Sequence, residues 1–180
     1  MTTPTTPTSE RTLILARHAK AEQVQGKPDH DRELTARGRR DAGAIGRWLS
    51  DSSHAVNVEL ALCSTSQRTR QTLEAVLAGG VPVKAVRFDE RIYDAHAAQL
   101  LDLLREVPDS VNTVIVIGHA PGIPVLASAL ARDDGRSIDL VEQISRAFPT
   151  AALAVLAFEG RWAELAPETA FLRDFAVPRG

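Results

Sequence analysis

The 180-residue chain is 44% apolar and 24% charged, enough for one domain with a real core and too little for a second of usual size. A net charge of -2 and a pI near 6.2 exclude a broad nonspecific footprint for nucleic acid or anionic membrane, so cations that serve an anion must be concentrated locally. The one cysteine, Cys63, excludes an intrachain disulfide and a multi-cysteine zinc site, and the cytoplasm is the expected compartment.

Met1 to Glu10, rich in Thr and Pro, reads as a disordered tail without a signal core, and residues 11–180 as a single domain. No stretch approaches membrane-spanning length. The first strand is expected over Thr12 to Ala16, where the apolar run Leu13-Ile14-Leu15-Ala16 would deliver Arg17 and His18 to the surface. A helix over Ala36 to Ser50 follows Thr35 as N-cap, with Leu34 as staple and Ile45, Trp48 and Leu49 at helical spacing. Glu59 to Cys63 reads as the next strand. A helix opened by Ser64 or Ser66 then carries Leu73, Val76 and Leu77 and stops at Gly79-Gly80 before Pro82.

Lys84 to Phe88 is a third strand, Ala97 to Glu106 a helix, and Thr113 to Ile117 a fourth strand. Pro121-Gly122 breaks the chain ahead of a helix over Pro124 to Leu130. The apolar run Ala151 to Phe158, the turn Glu159-Gly160 and Arg161 to Leu165 read as a hairpin, which makes at least one terminal strand antiparallel. This alternation predicts an α/β fold, a three-layer α/β/α sandwich on a mostly parallel sheet.

Arg17-His18 suits attack on phosphorus. Phosphoryl oxygens repel nucleophiles, so a site needs cations to neutralise them and a base able to take the group itself. Arg supplies bidentate neutralisation and neutral His supplies the lone pair. Arg68 and His119 follow two other strands, and Glu90 follows a third. Ligands of open α/β sheets bind beyond the carboxyl ends of the strands, so Arg17, His18, Arg68, Glu90 and His119 are expected to converge.

Each residue has a plainer reading. Arg68 and Arg70 are turned roughly 200° apart on a helix, so both can hardly face one anion, and helix geometry alone does not choose between them. His119 could be a turn residue, although Gly118 and Gly122 would let backbone approach a ligand. Glu90 could pair with Arg87 or Arg91. His30, His54 and His96 look like loop or helix-end residues, and Arg37-Gly38-Arg39-Arg40 like a solvated helix face.

The ordered elements Leu15-Ala16-Arg17-His18-Ala19-Lys20, Leu34-Thr35-Ala36-Arg37-Gly38-Arg39-Arg40, Cys63-Ser64-Thr65-Ser66-Gln67-Arg68-Thr69-Arg70-Gln71-Thr72, Asp89-Glu90-Arg91-Ile92-Tyr93 and Gly118-His119-Ala120-Pro121-Gly122 resemble the histidine phosphatase superfamily. Within that superfamily, which also holds the phosphoglycerate mutases, the likeness is to the small SixA-type phosphohistidine phosphatases. The resemblance implies that His18 is phosphorylated and that Arg17, Arg68 and His119 bind the phosphate. It chooses Arg68 over Arg70 by the spacing from Ser64. Ala19 stands where the family usually has Gly, so a slightly more restricted backbone is expected. Glu90 stands where the mutase branch has its acid, on which SixA-type enzymes are thought to depend less.

The expected reaction is metal-independent and cofactor-free. A backbone carbonyl fixes the His18 tautomer, Arg17 and Arg68 depress its pKa, a His119 that is cationic against the phosphate stabilises the developing charge, and Glu90 serves the leaving group and water. Between Glu90 and Gly118 there is no room for a large roof. That favours a hydrolase over a mutase, acting on phosphohistidine in a protein partner or on another exposed phosphate. A nucleotide or small-molecule phosphomonoesterase and a non-catalytic phosphate-binding module are the alternatives. No nucleic-acid or membrane partner is expected.

Overall fold

The computed structural model describes residues 10–180 except 52, 133, 134 and 136. The expected tail lies outside the described residues apart from Glu10, which already belongs to the first strand. The strands are β1 (Glu10–Arg17), β2 (Val58–Cys63), β3 (Val83–Phe88), β4 (Thr113–Gly118), β5 (Leu153–Glu159) and β6 (Phe171–Ala176). The helices are α1 (Ala36–Ser50), α2 (Gln67–Ala78), α3 (Ala97–Arg105), α4 (Gly122–Leu130) and α5 (Ile138–Arg146).

One six-stranded sheet runs β3-β2-β4-β1-β5-β6. β1 to β4 are mutually parallel, while β5 pairs antiparallel with both β1 and β6. Alternate residues of the central strands are buried on opposite faces, as a sheet covered on both sides requires. Ile14, Ile115 and Ala61 pack against Ile45 and Leu49 of α1 and Leu73 and Val76 of α2. Leu13, Leu15 and Val116 face Leu100 and Leu104 of α3, Leu126 and Leu130 of α4, and Ile144 of α5. The result is the expected α/β/α sandwich. The parallel strands β1, β2 and β4 end along one edge, and the residues that follow them gather there.

Helix α1 begins as expected, with the Thr35 side chain accepting from the Gly38 amide at 3.0 Å. It lies so close to α2 that a side chain on Gly46 would collide with the Val76 carbonyl. Helix α2 starts after Ser66, whose hydroxyl bonds Thr69 Oγ1 at 2.8 Å and not the helix amides.

Three expectations change. Helix α4 starts at Gly122, two residues early. The second strand of the terminal hairpin is Phe171–Ala176 and not Arg161 to Leu165. Trp162 is the cause: its ring is fully buried and its Nε1 donates to the Val111 carbonyl at 2.7 Å, so the chain turns inward there as a short 3-10 helix. Helix α5 has no counterpart in the sequence reading. Only Ile144 of its nine residues is buried, which leaves little apolar periodicity to detect.

Candidate active site

β1 carries Arg17 and His18 to the sheet edge and its neighbours pin them. The Arg17 amide donates to the Ala152 carbonyl at 3.0 Å and the His18 amide to the Gly118 carbonyl at 3.0 Å. The Ala151 amide returns to the His18 carbonyl at 3.1 Å. His119 follows β4 directly, and Arg68 lies in the first turn of α2 just past β2. Thr72, one turn on, donates to the Arg68 carbonyl at 2.7 Å and accepts from the Ala19 amide at 3.0 Å, tying α2 to the residue after His18.

The imidazole of His18 shares a hydrogen between Nδ1 and the Ala19 carbonyl at 2.8 Å. Arg68 donates from Nε to His18 Nε2 at 3.4 Å and from Nη2 to His119 Nδ1 at 3.3 Å. A guanidinium can only donate, so both ring nitrogens present lone pairs. His119 Nε2 then carries the hydrogen and meets Ser64 Oγ at 2.9 Å. The two imidazole centroids are 5.2 Å apart.

Burial is the main reason both histidines are neutral. It lowers the His18 pKa from 6.5 to about 4, with Arg68 and Arg17 adding to the effect against the raising bond to Ala19. His119 falls to about 3, again through burial first and then through the neighbouring His18 and the Arg68 cation. In the free protein His119 is therefore a neutral ring beside a guanidinium, whereas the cationic form was expected against a bound phosphate. Arg17 is tied by Nη1 to the Phe148 carbonyl at 2.8 Å, and its Nε is a buried donor without a partner among the described residues. An unpartnered guanidinium N–H whose charge acts on His18 is a donor that an oxyanion could satisfy.

Of the five expected residues, Arg17, His18, Arg68 and His119 come together. Glu90 is not bonded to them. It is exposed, and its carboxylate makes no hydrogen bond or ion pair with this group. The neighbouring Arg91 pairs with Asp89 and Glu106 instead. Arg70 lies over the Phe88 ring at 4.2 Å and donates to the Thr65 carbonyl at 2.9 Å, which leaves the anion to Arg68.

Gly118 and Gly122 each have a packing reason to lack a side chain. A side chain on Gly118 would press on Ile123 and Ile92, and one on Gly122 would collide with the Ala95 carbonyl. Ala19 avoids the left-handed region and is fully buried, so it fits where the family usually has Gly.

Asp29 escaped the sequence reading, and Tyr93 entered it only within the element Asp89-Glu90-Arg91-Ile92-Tyr93. Asp29 accepts from Arg68 Nη2 at 2.9 Å and from the Tyr93 hydroxyl at 2.7 Å, and Tyr93 meets the His119 ring edge-on at 5.5 Å between centroids. His30, treated as a loop residue, bonds Thr65 Oγ1 at 3.1 Å beside them. Nothing local marks Asp29, because the segment that carries it lies far from the strand ends in sequence. Among the described residues, no group of three or more His, Cys, Asp or Glu side chains is placed to hold a metal ion. None of their helices is long and apolar enough to cross a membrane.

Comparison with known proteins agrees with this geometry. The model of the histidine phosphatase superfamily, branch 1, matches residues 13–112. A protein of Mycobacterium tuberculosis is 42% identical over 163 residues, covering 91% of this chain and 99% of its own. A structure described as a candidate phosphohistidine phosphatase SixA from Nakamurella multipartitia superimposes with a TM-score of 0.81 at 35% identity, covering 96% of this chain and 99% of that one. Another so described, from Agrobacterium tumefaciens, gives 0.74 at 28% identity over 93% and 98%.

Proposed function

The chain belongs to the histidine phosphatase superfamily, and from that premise we propose that it hydrolyses phosphohistidine in proteins, or another exposed phosphate, through a phosphoenzyme on His18. The observation that carries this reading is the bare Nε2 lone pair of His18, with its other nitrogen on the Ala19 carbonyl and the guanidinium of Arg68 at 3.4 Å.

A phosphoryl group entering between His18 and Arg68 places its oxygens on the Arg68 guanidinium and on the free Nε of Arg17. His18 Nε2 attacks phosphorus, and the bond to the leaving group breaks with its electron pair departing on that group. Water then attacks the phosphorus of phospho-His18. The P–N pair returns to Nε2, and the water proton leaves with phosphate or to solvent. His119 holds the Arg68 fork in place as a neutral acceptor and donates through Nε2–H to Ser64. Charge neutralisation comes from arginines, so the reaction takes no metal or other cofactor.

Hydrolysis is favoured over transfer because His18 keeps partial exposure and can be reached by water. The same exposure suits a phosphate borne on a protein surface in the cytoplasm. Glu90 is exposed and bonded to none of the pocket residues, so no proton donor is held in place for an ester's leaving oxygen, which favours a leaving group that needs none. The test is turnover of a phosphohistidine peptide against a panel of nucleotide and sugar phosphates. Preferred hydrolysis of the peptide, abolished by His18→Ala, is expected. Undiminished turnover by His18→Ala would overturn the mechanism.

A further inference from the structure

The segment between β1 and α1 folds back over the pocket, closed at its base by a bridge between Ala21 and Leu34. It brings in Asp29, an acidic group so placed that its charge acts on His119. Asp29 Oδ2 accepts from Tyr93 and Arg68, Oδ1 accepts from Arg32 Nη1 at 2.8 Å, and the main-chain carbonyl accepts from Arg68 Nη1 at 2.6 Å. Its side chain is still 49% exposed. Beyond it opens a cavity of about 390 Å³ lined by Gln23, Val24, Gln25, Lys27, Asp29 and Arg32.

Three side-chain donors on one carboxylate keep it ionised. The Tyr93 hydroxyl, followed by Arg32 and Arg68, holds its pKa well below the usual range. Such a group cannot give a proton to a departing alkoxide and repels the negative charge that forms there. It can accept a hydrogen bond from a departing group that bears an N–H. One guanidinium links it to the nucleophile, since Arg68 reaches His18 Nε2 through Nε and Asp29 Oδ2 through Nη2. Oδ1, with one protein donor and an exposed flank, has acceptor capacity left on the cavity side.

We infer that the Asp29 carboxylate is the leaving-group acceptor of this site, selecting N-phosphorylated imidazoles over phosphate esters, an inference that rests on the phosphatase reading above. In the selected step His18 Nε2 forms a bond to phosphorus as the substrate P–N bond breaks. The electron pair goes to the substrate nitrogen, and the imidazole leaves neutral with the N–H it already carried on its other nitrogen. Asp29 accepts that N–H before and during departure, and no proton passes from the protein. With an ester the pair ends on oxygen, close to a fixed negative charge, and no enzyme proton relieves it.

The test is a ratio: kcat/KM for a phosphohistidine peptide divided by kcat/KM for p-nitrophenyl phosphate, measured on one preparation of each protein. Losses of folded enzyme, or of Arg68 alignment shared by both substrates, divide out. Asp29→Asn keeps the shape and removes the charge, and its ratio is expected to fall about tenfold or more from the parent, the worth of one charge-assisted hydrogen bond. A change smaller than about fivefold overturns the inference even if both rates drop, because Asp29 then acts only through Arg68. The phosphatase reading fails differently, by the parent protein hydrolysing neither substrate.

Discussion

Arg68 points its Nε–H at His18 Nε2 across 3.4 Å, so one cation marks the lone pair that attacks and occupies the space a phosphoryl oxygen takes. The contact is long for a hydrogen bond and joins a cation to a neutral ring. A phosphate oxygen is a far better acceptor, so substrate replaces the imidazole on the guanidinium edge and frees the lone pair as it binds. Binding and activation of the nucleophile thus occur through one residue.

Arg68→Lys is therefore expected to lower kcat/KM for p-nitrophenyl phosphate by about 10² to 10³, since a point charge cannot serve the oxygens, Asp29 and both histidines at once. Arg70→Lys, which alters a contact with Phe88, is expected to stay near the parent value. Steady-state kinetics on the two variants checks the assignment. Equal losses would mean that the fork is not what matters.

His18 remains an unprotonated nucleophile down to about pH 4 in the free protein. With the substrate's own titration removed, kcat/KM should hold its value well below pH 6.5 and fall only as pH approaches 4. An acid limb centred at 6.5 would show an ordinary, solvated histidine.

The same depressed values tie stability to pH. Unfolded histidines take up protons below about 6.5, whereas folded His18 and His119 resist until about 4 and about 3. Their contribution is intact above pH 6.5 and is lost as pH falls toward those lower values, at about 1.4 kcal/mol per pH unit for each histidine that stays neutral. Urea unfolding at pH 6.5 and pH 4.5 should show a steeper loss in the parent than in His119→Gln.

Cys63 sits beside Ser64 at the end of β2 but is buried, and burial pushes its thiol up to about 12. Iodoacetamide at neutral pH should leave both the thiol and the activity intact. Rapid inactivation with a label on Cys63 would show that the end of β2 opens to solvent.

Gly122 lets the first turn of α4 lie against the Ala95 carbonyl, three residues after His119. Gly122→Ala forces that backbone apart and is expected to cost about 1–3 kcal/mol, with a drop in kcat as His119 moves. Thermal unfolding and turnover together check this. A change in neither would mean that the helix shifts freely.

The sheet and the pocket were legible in the sequence for the same reason. Leu13 to Ala16 and Val114 to Ile117 are buried on both faces, so they stand out as continuous apolar runs, and the chemical residues sit directly beyond them. Arg70 could be set aside only by family spacing, because its partner Phe88 is on another strand. Asp29 was invisible: its role depends on a loop reaching Arg68, 39 residues away, and on Tyr93, 64 away. Glu90 matched a family position, yet it is exposed after edge strand β3 and no bond ties it to Arg17, His18, Arg68 or His119. The protonation of His119 depends on burial, which a turn sequence does not report.

The most direct measurement is to trap the phosphoenzyme. Brief incubation with a phosphorylated substrate, quenching in alkali and peptide mass analysis should place one acid-labile, alkali-stable phosphoryl group on the peptide containing His18, absent from His18→Ala. Hydrolysis that proceeds with no such adduct, or with the group on another residue, would contradict nucleophilic attack by His18.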